Sequence, residues 1–196
     1  RTSERDYLVK VSSDADASAL PLQVAALAHV AAHAPTLPTS RTVETLQGEA
    51  LAELVSDGEQ QTVWVTEWLP GALLSDQASL DIGTCEQLGE MLGALDQALL
   101  TFEDPRARRP IKWDLLRSEW IGAHLERVEA GWLRDAVEAI HEWHLAHQGA
   151  LAELRRCVVH NDANDHNLLV ATEGPLRVTG LIDFGDMCET AMVSEL

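Results

Sequence analysis

VVHNDANDHNLLV, residues 158–170, is followed by LIDFGD at residues 181–186, and the fold turns on how these two stretches are read. His160, Asp162, Asn164, Asp165, His166 and Asn167 stand between apolar runs. Carboxylates and amides are poor strand formers and costly to bury without partners, so a binding loop is expected. Leu168 to Val170 and Leu176 to Ile182 read as two strands, with Glu173-Gly174-Pro175 as the turn between them. The two strands of a hairpin return the chain to the same end. The polar loop entering the hairpin and Asp183 leaving it therefore converge, although Asn167 and Asp183 are sixteen residues apart.

Two carboxylates and an amide oxygen are hard ligands, which suit magnesium better than zinc. Magnesium keeps waters and completes its shell with phosphate oxygens. His-x-Asp-x-x-x-x-Asn followed by Asp-Phe-Gly after a hairpin is the spacing of kinase-type phosphoryl transfer. On that pattern Asp162 accepts the proton of the attacking hydroxyl, and Asn167 and Asp183 hold the metal. His160 reads as a loop-structural histidine rather than a base. A solvated acidic turn would explain one such loop but not a second at the matching end.

Upstream, Tyr7 to Val11 reads as a strand that carries Lys10, one of only two lysines in the chain. Kinases use a strand lysine on the α and β phosphates. Leu20 to His33 is alanine-rich and reads as a helix ended by Pro35 and Pro38. No glutamate lies between Lys10 and Glu44, so the helix offers Lys10 only Gln23 as a hydrogen-bonding partner. Thr42 to Leu46 and Ala50 to Val55 are candidate strands, with a turn at Asp57-Gly58. Thr62 to Leu69 alternates in β-branched and aromatic residues and ends at Pro70-Gly71. That places Glu67, Trp68 and Leu69 like a hinge between lobes, with backbone groups for a purine edge.

The remainder reads as mainly helical. Thr84-x-x-Gln87 has the form of a capping box, and Leu88, Met91, Leu92, Leu95 and Leu99 recur at helix spacing behind it. Helices are expected from about Leu115 to Glu129 and from Trp132 to Ala150. The expected class is α+β: a strand-rich lobe over residues 1–69 and a mainly helical lobe over residues 70–196. Arg106, Arg108, Arg109 and Lys112 form a basic run read as a solvated loop. Most of the side chains Trp64, Trp68, Trp113, Trp120, Trp132 and Trp143 are expected in core or interlobe packing, while Trp113 beside Asp114 suggests a cation-binding pocket. His141, His144 and His147 follow helix spacing and read as a solvated histidine face, since Leu145 breaks the His-Glu-x-x-His zinc pattern.

The totals bound the partners. The chain has 196 residues, 46% of them hydrophobic, and 32 acidic against 14 basic residues give a net charge of −18. Nucleic acid and anionic membranes are disfavoured; a cationic ligand or magnesium is suited. Cys85, Cys157 and Cys188 are odd in number and widely spaced, as expected for reduced thiols in a cytoplasmic protein. No apolar run approaches the roughly 18 residues of a membrane span.

These residues resemble the aminoglycoside phosphotransferase and choline kinase superfamily, whose fold is a bilobal protein-kinase-like one. His160-x-Asp162-x-x-x-x-Asn167 and Ile182-Asp183-Phe184-Gly185-Asp186 carry that likeness. Ser3-Glu4-Arg5-Asp6, LQVAAL at residues 22–27, Trp113-Asp114 and IDFGDM bring it nearer to hydroxylysine kinase-like proteins. The resemblance implies transfer of the γ-phosphate of ATP or GTP to a hydroxyl on a small amine, with Mg2+. It also implies Asp186 as a group for a substrate ammonium, and possible fusion to a pyridoxal-phosphate aminotransferase. A catalytically weak regulatory or nucleotide-binding module is the alternative. In relatives a strand-turn-strand follows Ser-Glu-Arg-Asp before the lysine strand. Here Lys10 comes four residues after Asp6, so that hairpin is shortened or residues are missing, and the fold is expected to be incomplete at both ends.

Overall fold

The computed structural model describes residues 5–13, 19–56, 58–77 and 80–195. Ser3, Glu4 and Asp57, each part of a sequence expectation, lie outside the described residues. The first sheet joins β1 (Tyr7–Ser13), β2 (Leu51–Ser56) and β3 (Glu59–Glu67) in the order β1-β3-β2, antiparallel throughout. Its register sets Tyr7 opposite Glu67 and Lys10 opposite Trp64. Among the described residues no strand precedes β1.

Thr42 to Leu46 does not form a strand. Thr42 makes one isolated bridge to Thr66, and Thr45 then closes a turn through Gly48, whose φ of 83° suits glycine. Residues 38–43 instead join two sheets. Leu181 N–H donates to Pro38 O, Thr39 bridges Leu181, Val43 N–H donates to Val65 O, and Glu67 N–H donates to Arg41 O.

The helices α1 (Leu20–His33) and α2 (Ile82–Leu99) pack together. Leu22, Ala26, Leu27 and Val30 of α1 and Met91, Leu92, Leu95 and Leu99 of α2 enter one core with Leu168, Val170, Leu181 and Phe184. The α2 cap differs from the expected box. Asp81 is the N-cap, and its Oδ1 accepts from Thr84 N–H at 2.7 Å and from Thr84 Oγ1 at 2.8 Å. Gln87 is thereby free of capping, and its Oε1 accepts from Val178 N–H at 3.1 Å. The segment expected as a helix over 115–129 is wound more tightly, as 3₁₀ turns at Leu115–Arg117 and Glu119–Arg127. Gly122 has room for no side chain there, because a Cβ would lie 2.7 Å from His141 Nε2.

The third helix, α3, spans Trp132–Ala152. Of the six tryptophans only Trp64 is buried; Trp132 and Trp143 lie on an outward face of α3, where Trp143 stacks on His147. The histidine face is likewise only part solvated: His141 is buried and His144 half-buried, while His147 is exposed.

The hairpin expected from sequence is present as β6 (Leu168–Val170) and β7 (Val178–Leu181), with β4 (Ala72–Leu73) added on its other edge. Strands β5 (Arg156–Val159) and β8 (Cys188–Ala191) form a second ribbon beside it. Gly71, at φ 151°, passes so close to the hairpin that a Cβ would sit 2.9 Å from Val170 O. No helix among the described residues is long and apolar enough to cross a membrane.

Candidate active site

The apolar strands before and after the polar loop are buried, so the loop itself is presented at their ends. Within it the side chains satisfy one another. Asp162 Oδ1 accepts from Asn164 Nδ2 at 2.7 Å, and Oδ2 accepts from Asn167 Nδ2 at 2.8 Å. Asn167 Nδ2 also donates to Asp162 O at 2.8 Å, which leaves Oδ1 as its hard-ligand end. The Asp162 carboxylate is thus held by two amides and remains partly exposed.

His160 is fully buried beneath this loop. Its Nε2 lies 3.0 Å from Ile182 O, and its Nδ1 lies 3.3 Å from Asp162 N–H. A carbonyl on one side and an N–H on the other require the neutral ring with its proton on Nε2. Burial, the main cause, holds the imidazole below its ordinary pKa and reinforces that state. Its ring meets Phe184 edge-on at 4.7 Å. His160 therefore ties the loop at 160–167 to the Ile182-Asp183-Phe184 turn.

A second tie runs through the backbone, where Ile182 N–H donates to Asn167 O at 2.9 Å. Asp183 follows in the left-handed region, at φ 61°, and caps its own turn by accepting from Gly185 N–H. Asn161 is also left-handed, at φ 67°. Asn and Asp tolerate this conformation better than most residues, and such strain collects where side chains must be aimed. Asp162, Asn167 and Asp183 are thus brought to one end of the hairpin.

Opposite them stands Lys10. Its Nζ is 3.6 Å from Asp183 Oδ1 and 5.6 Å from the centre of the Trp64 ring. Both residues line a cavity of 320 Å³ between the first sheet and the hairpin, together with Gln23, Glu67, Trp68 and Leu69. Two hinge amides are already committed: Glu67 N–H to Arg41 O and Trp68 N–H to Asp6 O. Leu69 N–H is engaged by no other backbone group among the described residues. Gln23 does not pair with Lys10. It is 6% exposed, and its Oε1 has no hydrogen-bond partner among the described residues.

Two side chains that the sequence reading did not assign to the site support it. Arg109, placed in a supposedly solvated loop, reaches the turn after Asp183. Its Nε donates to Met187 O at 2.9 Å and its Nη2 donates to Gly185 O. It thereby grips the backbone on both sides of Asp186. Burial pushes the Asp186 carboxyl up, the Asp162 charge adds to this, and Arg109 opposes it. Glu195 is the other. Its Oε2 accepts from His160 N–H at 2.6 Å and from Asn161 N–H at 3.4 Å. Neither residue carried a periodic or motif signal; each acts through contacts across 76 or more and 34 or more positions. Trp113 is half-exposed and does not line the cleft cavity. Its neighbour Asp114 is buried, accepting from Thr190 Oγ1 and Leu116 N–H.

No cluster of three His, Cys, Asp or Glu side chains suited to a metal occurs among the described residues. The donor set at the hairpin end is instead one half-exposed carboxylate and one amide oxygen. That set fits a hard cation which draws its remaining ligands from phosphate and water.

A model of the phosphotransferase enzyme family matches residues 1–196. The chain belongs to that family. It is 26% identical over 205 residues to the hydroxylysine kinase of Danio rerio, covering 97% of this chain and 57% of the relative. The hydroxylysine kinase of Mus musculus is 27% identical over 203 residues, at 93% and 52% coverage. The chain thus spans about half the length of these relatives. Among solved structures, the GDP complex of aminoglycoside 2'-phosphotransferase-IIIa superposes with a TM-score of 0.70 at 16% identity, covering all of this chain and 68% of that one. An amicoumacin kinase bound to AMP-PNP and Ca2+ gives 0.66 at 16%, covering 96% and 55%. At these identities the structural likeness establishes the bilobal kinase-like α+β fold of this phosphotransferase-family chain.

Proposed function

We propose that this chain carries the nucleotide cleft and catalytic loop of a small-molecule kinase. It would move the γ-phosphate of ATP or GTP to a hydroxyl of an amine substrate of hydroxylysine, amino alcohol or aminoglycoside type. Residues 1–69 would form the nucleotide-side lobe and residues 70–196 the catalytic lobe. The observation that carries this reading is the facing of Lys10 and Asp183 across the cavity, with Asp162 and Asn167 tied to Asp183 by backbone and side-chain bonds. A hydrolase would leave that lysine without a task.

In this mechanism Leu69 N–H and the nearby carbonyls bind the base, and Lys10 binds the α and β phosphates. Asn167 and Asp183 would hold Mg2+, which neutralises charge on the transferring phosphate. The Asp162 carboxylate, steadied by Asn164 and Asn167, takes the proton of the incoming hydroxyl. Neutral His160 and Arg109 keep the two loops in register, and Asp186 supplies a negative charge for the acceptor's ammonium. The hydroxylysine kinase relatives support the acceptor class, and the nucleotide complexes of the structural neighbours support the donor. The regulatory alternative draws no support from these relatives.

Thermal shift with Mg-ATP, Mg-GTP and EDTA controls tests the cleft, because a ligand that binds only the native state raises Tm. A magnesium-dependent shift followed by turnover with hydroxylysine, ethanolamine, choline or an aminoglycoside is the expected result. Binding without turnover on any acceptor would favour the regulatory module, and no shift would remove the nucleotide reading.

A further inference from the structure

Lys10 has an unusual set of neighbours. Its ammonium lies over the Trp64 ring and 3.6 Å from Asp183 Oδ1. The helix facing it, α1, offers no acid; it offers Gln23, buried and lining the same cavity. Among the described residues Gln23 Oε1 has no partner, while its Nε2 lies against the Asp183 turn, 4.0 Å from where a Cβ on Gly185 would stand. A buried acceptor without a donor is costly, and one aimed into a cavity is placed to receive a donor that enters it. Asp183, meanwhile, is one of the two groups assigned above to the metal.

We propose that Lys10 is an exchangeable cation. In the nucleotide-free protein it sits on Asp183 because Gln23 gives it no charge to leave for. When metal and nucleotide arrive it passes from Asp183 to the phosphates and to Gln23 Oε1. The neutral residue at position 23 thus sets how strongly the empty cleft resists its metal. This inference rests on Asp183 being a metal ligand, as in the proposed function.

Mn2+ affinity of the nucleotide-free protein, counted by electron paramagnetic resonance of the free ion, tests it without any turnover. Lys10→Met is expected to tighten Mn2+ by roughly two- to fivefold, the worth of a half-exposed ion pair. Gln23→Glu is expected to tighten it similarly when Lys10 is present, by drawing the ammonium away, and to add little in the Lys10→Met background. Equal tightening by Gln23→Glu in both backgrounds would mean a direct field of the new carboxylate and would overturn the exchange. Gln23→Met is expected to leave Mn2+ affinity unchanged, since Oε1 is unpartnered in that state, yet to weaken Mg-nucleotide binding several-fold. Should Gln23→Glu not fold, Lys10→Met and Gln23→Met decide alone; unchanged Mn2+ affinity in Lys10→Met sinks the proposal. Asp183→Asn separates the two readings. Mn2+ binding that survives it overturns the metal site and the exchange together, whereas binding lost in Asp183→Asn but unmoved by Lys10→Met overturns only the exchange.

Discussion

The two walls of the cleft are both antiparallel; the first sheet presents Lys10 and Glu67 to it, and the hairpin side presents Asp183. They are built differently. The β1-β3-β2 sheet leaves Val9, Val11 and Val55 more than half exposed. The β6-β7 hairpin buries Leu168, Val170 and Leu181 almost completely, between α2 and the rest of the core. Each such side chain contributes about 1.5–3 kcal/mol on burial. The position of Asp183 is therefore set by packing, and its loop is further pinned by His160 and Arg109. The position of Lys10 is set by strand pairing, from Tyr7 opposite Glu67 to Ser13 opposite Gln61. A cleft with one packed wall and one paired wall can hold the Asp183 side fixed while the Lys10 side adjusts.

Substitutions on the two walls sharpen this contrast. Asp162→Asn sits on the packed side but outside the core, and is expected to lower phosphoryl transfer by roughly 10²–10⁴-fold. Its Tm should stay near that of the parent; wild-type turnover would remove Asp162 as the base. Leu181→Ala is expected to cost about 2–5 kcal/mol in denaturant unfolding. Arg109→Met leaves the Gly185 and Met187 carbonyls without their charged donor, costing about 1–3 kcal/mol. It should also lower kcat roughly 10- to 100-fold through a misplaced Asp183 turn. A purely structural Arg109 would show the stability loss with kcat intact.

Asp96 and Glu195 are buried, and desolvation raises their carboxyls to about 6 and about 7. The folded protein keeps protons there that the unfolded chain releases near pH 4–5. Their contribution is full below that range and is lost as pH rises through 6 to 7. His160, depressed by burial, acts in the opposite sense, weakening the fold as pH falls below its ordinary value. Comparing Glu195→Gln with the parent isolates one group: the variant's stability should vary less between pH 5 and 8. An unchanged pH slope would count against a buried, protonated Glu195. The smallest effect is expected on the open wall, where Val9→Ala should change stability by no more than about 0.5 kcal/mol. A loss as large as that of Leu181→Ala would show that the sheet is covered in solution.

The same contrast explains what could be read from sequence. The hairpin was legible because Leu168 to Val170 and the mainly apolar stretch from Leu176 to Ile182 flank Glu173-Gly174-Pro175, and β3 because Thr62 to Glu67 alternates. Helix α1 was legible from its alanine-rich stretch ended by Pro35 and Pro38, and α3 was expected over nearly its observed span. The α2 start was misplaced because Thr84 imitates a cap, while Asp81 three residues earlier holds it. Thr42 to Leu46 looked like a strand but supplies one bridge, since Pro38 and the turn at Gly48 leave it no length to pair. Asp162, Asn167 and Asp183 were visible because their spacing is local to one hairpin. Arg109 and Glu195 were not, because their partners are distant carbonyls and amides, which any residue type supplies and no pattern encodes.

The strap at residues 38–43 has a mechanical consequence. It is stitched to Leu181 at one end and to Val65 and Glu67 at the other. The chain crosses again at residues 67–71, where Gly71 is wedged against Val170. Two tethers between two bodies define an axis, as two pins define the swing of a door. Relative motion of the sheet is then confined largely to rotation about the line joining them. Lys10, opposite Trp64 and so three residues along β3 from the tether at Glu67, lies farther from that axis than Leu69.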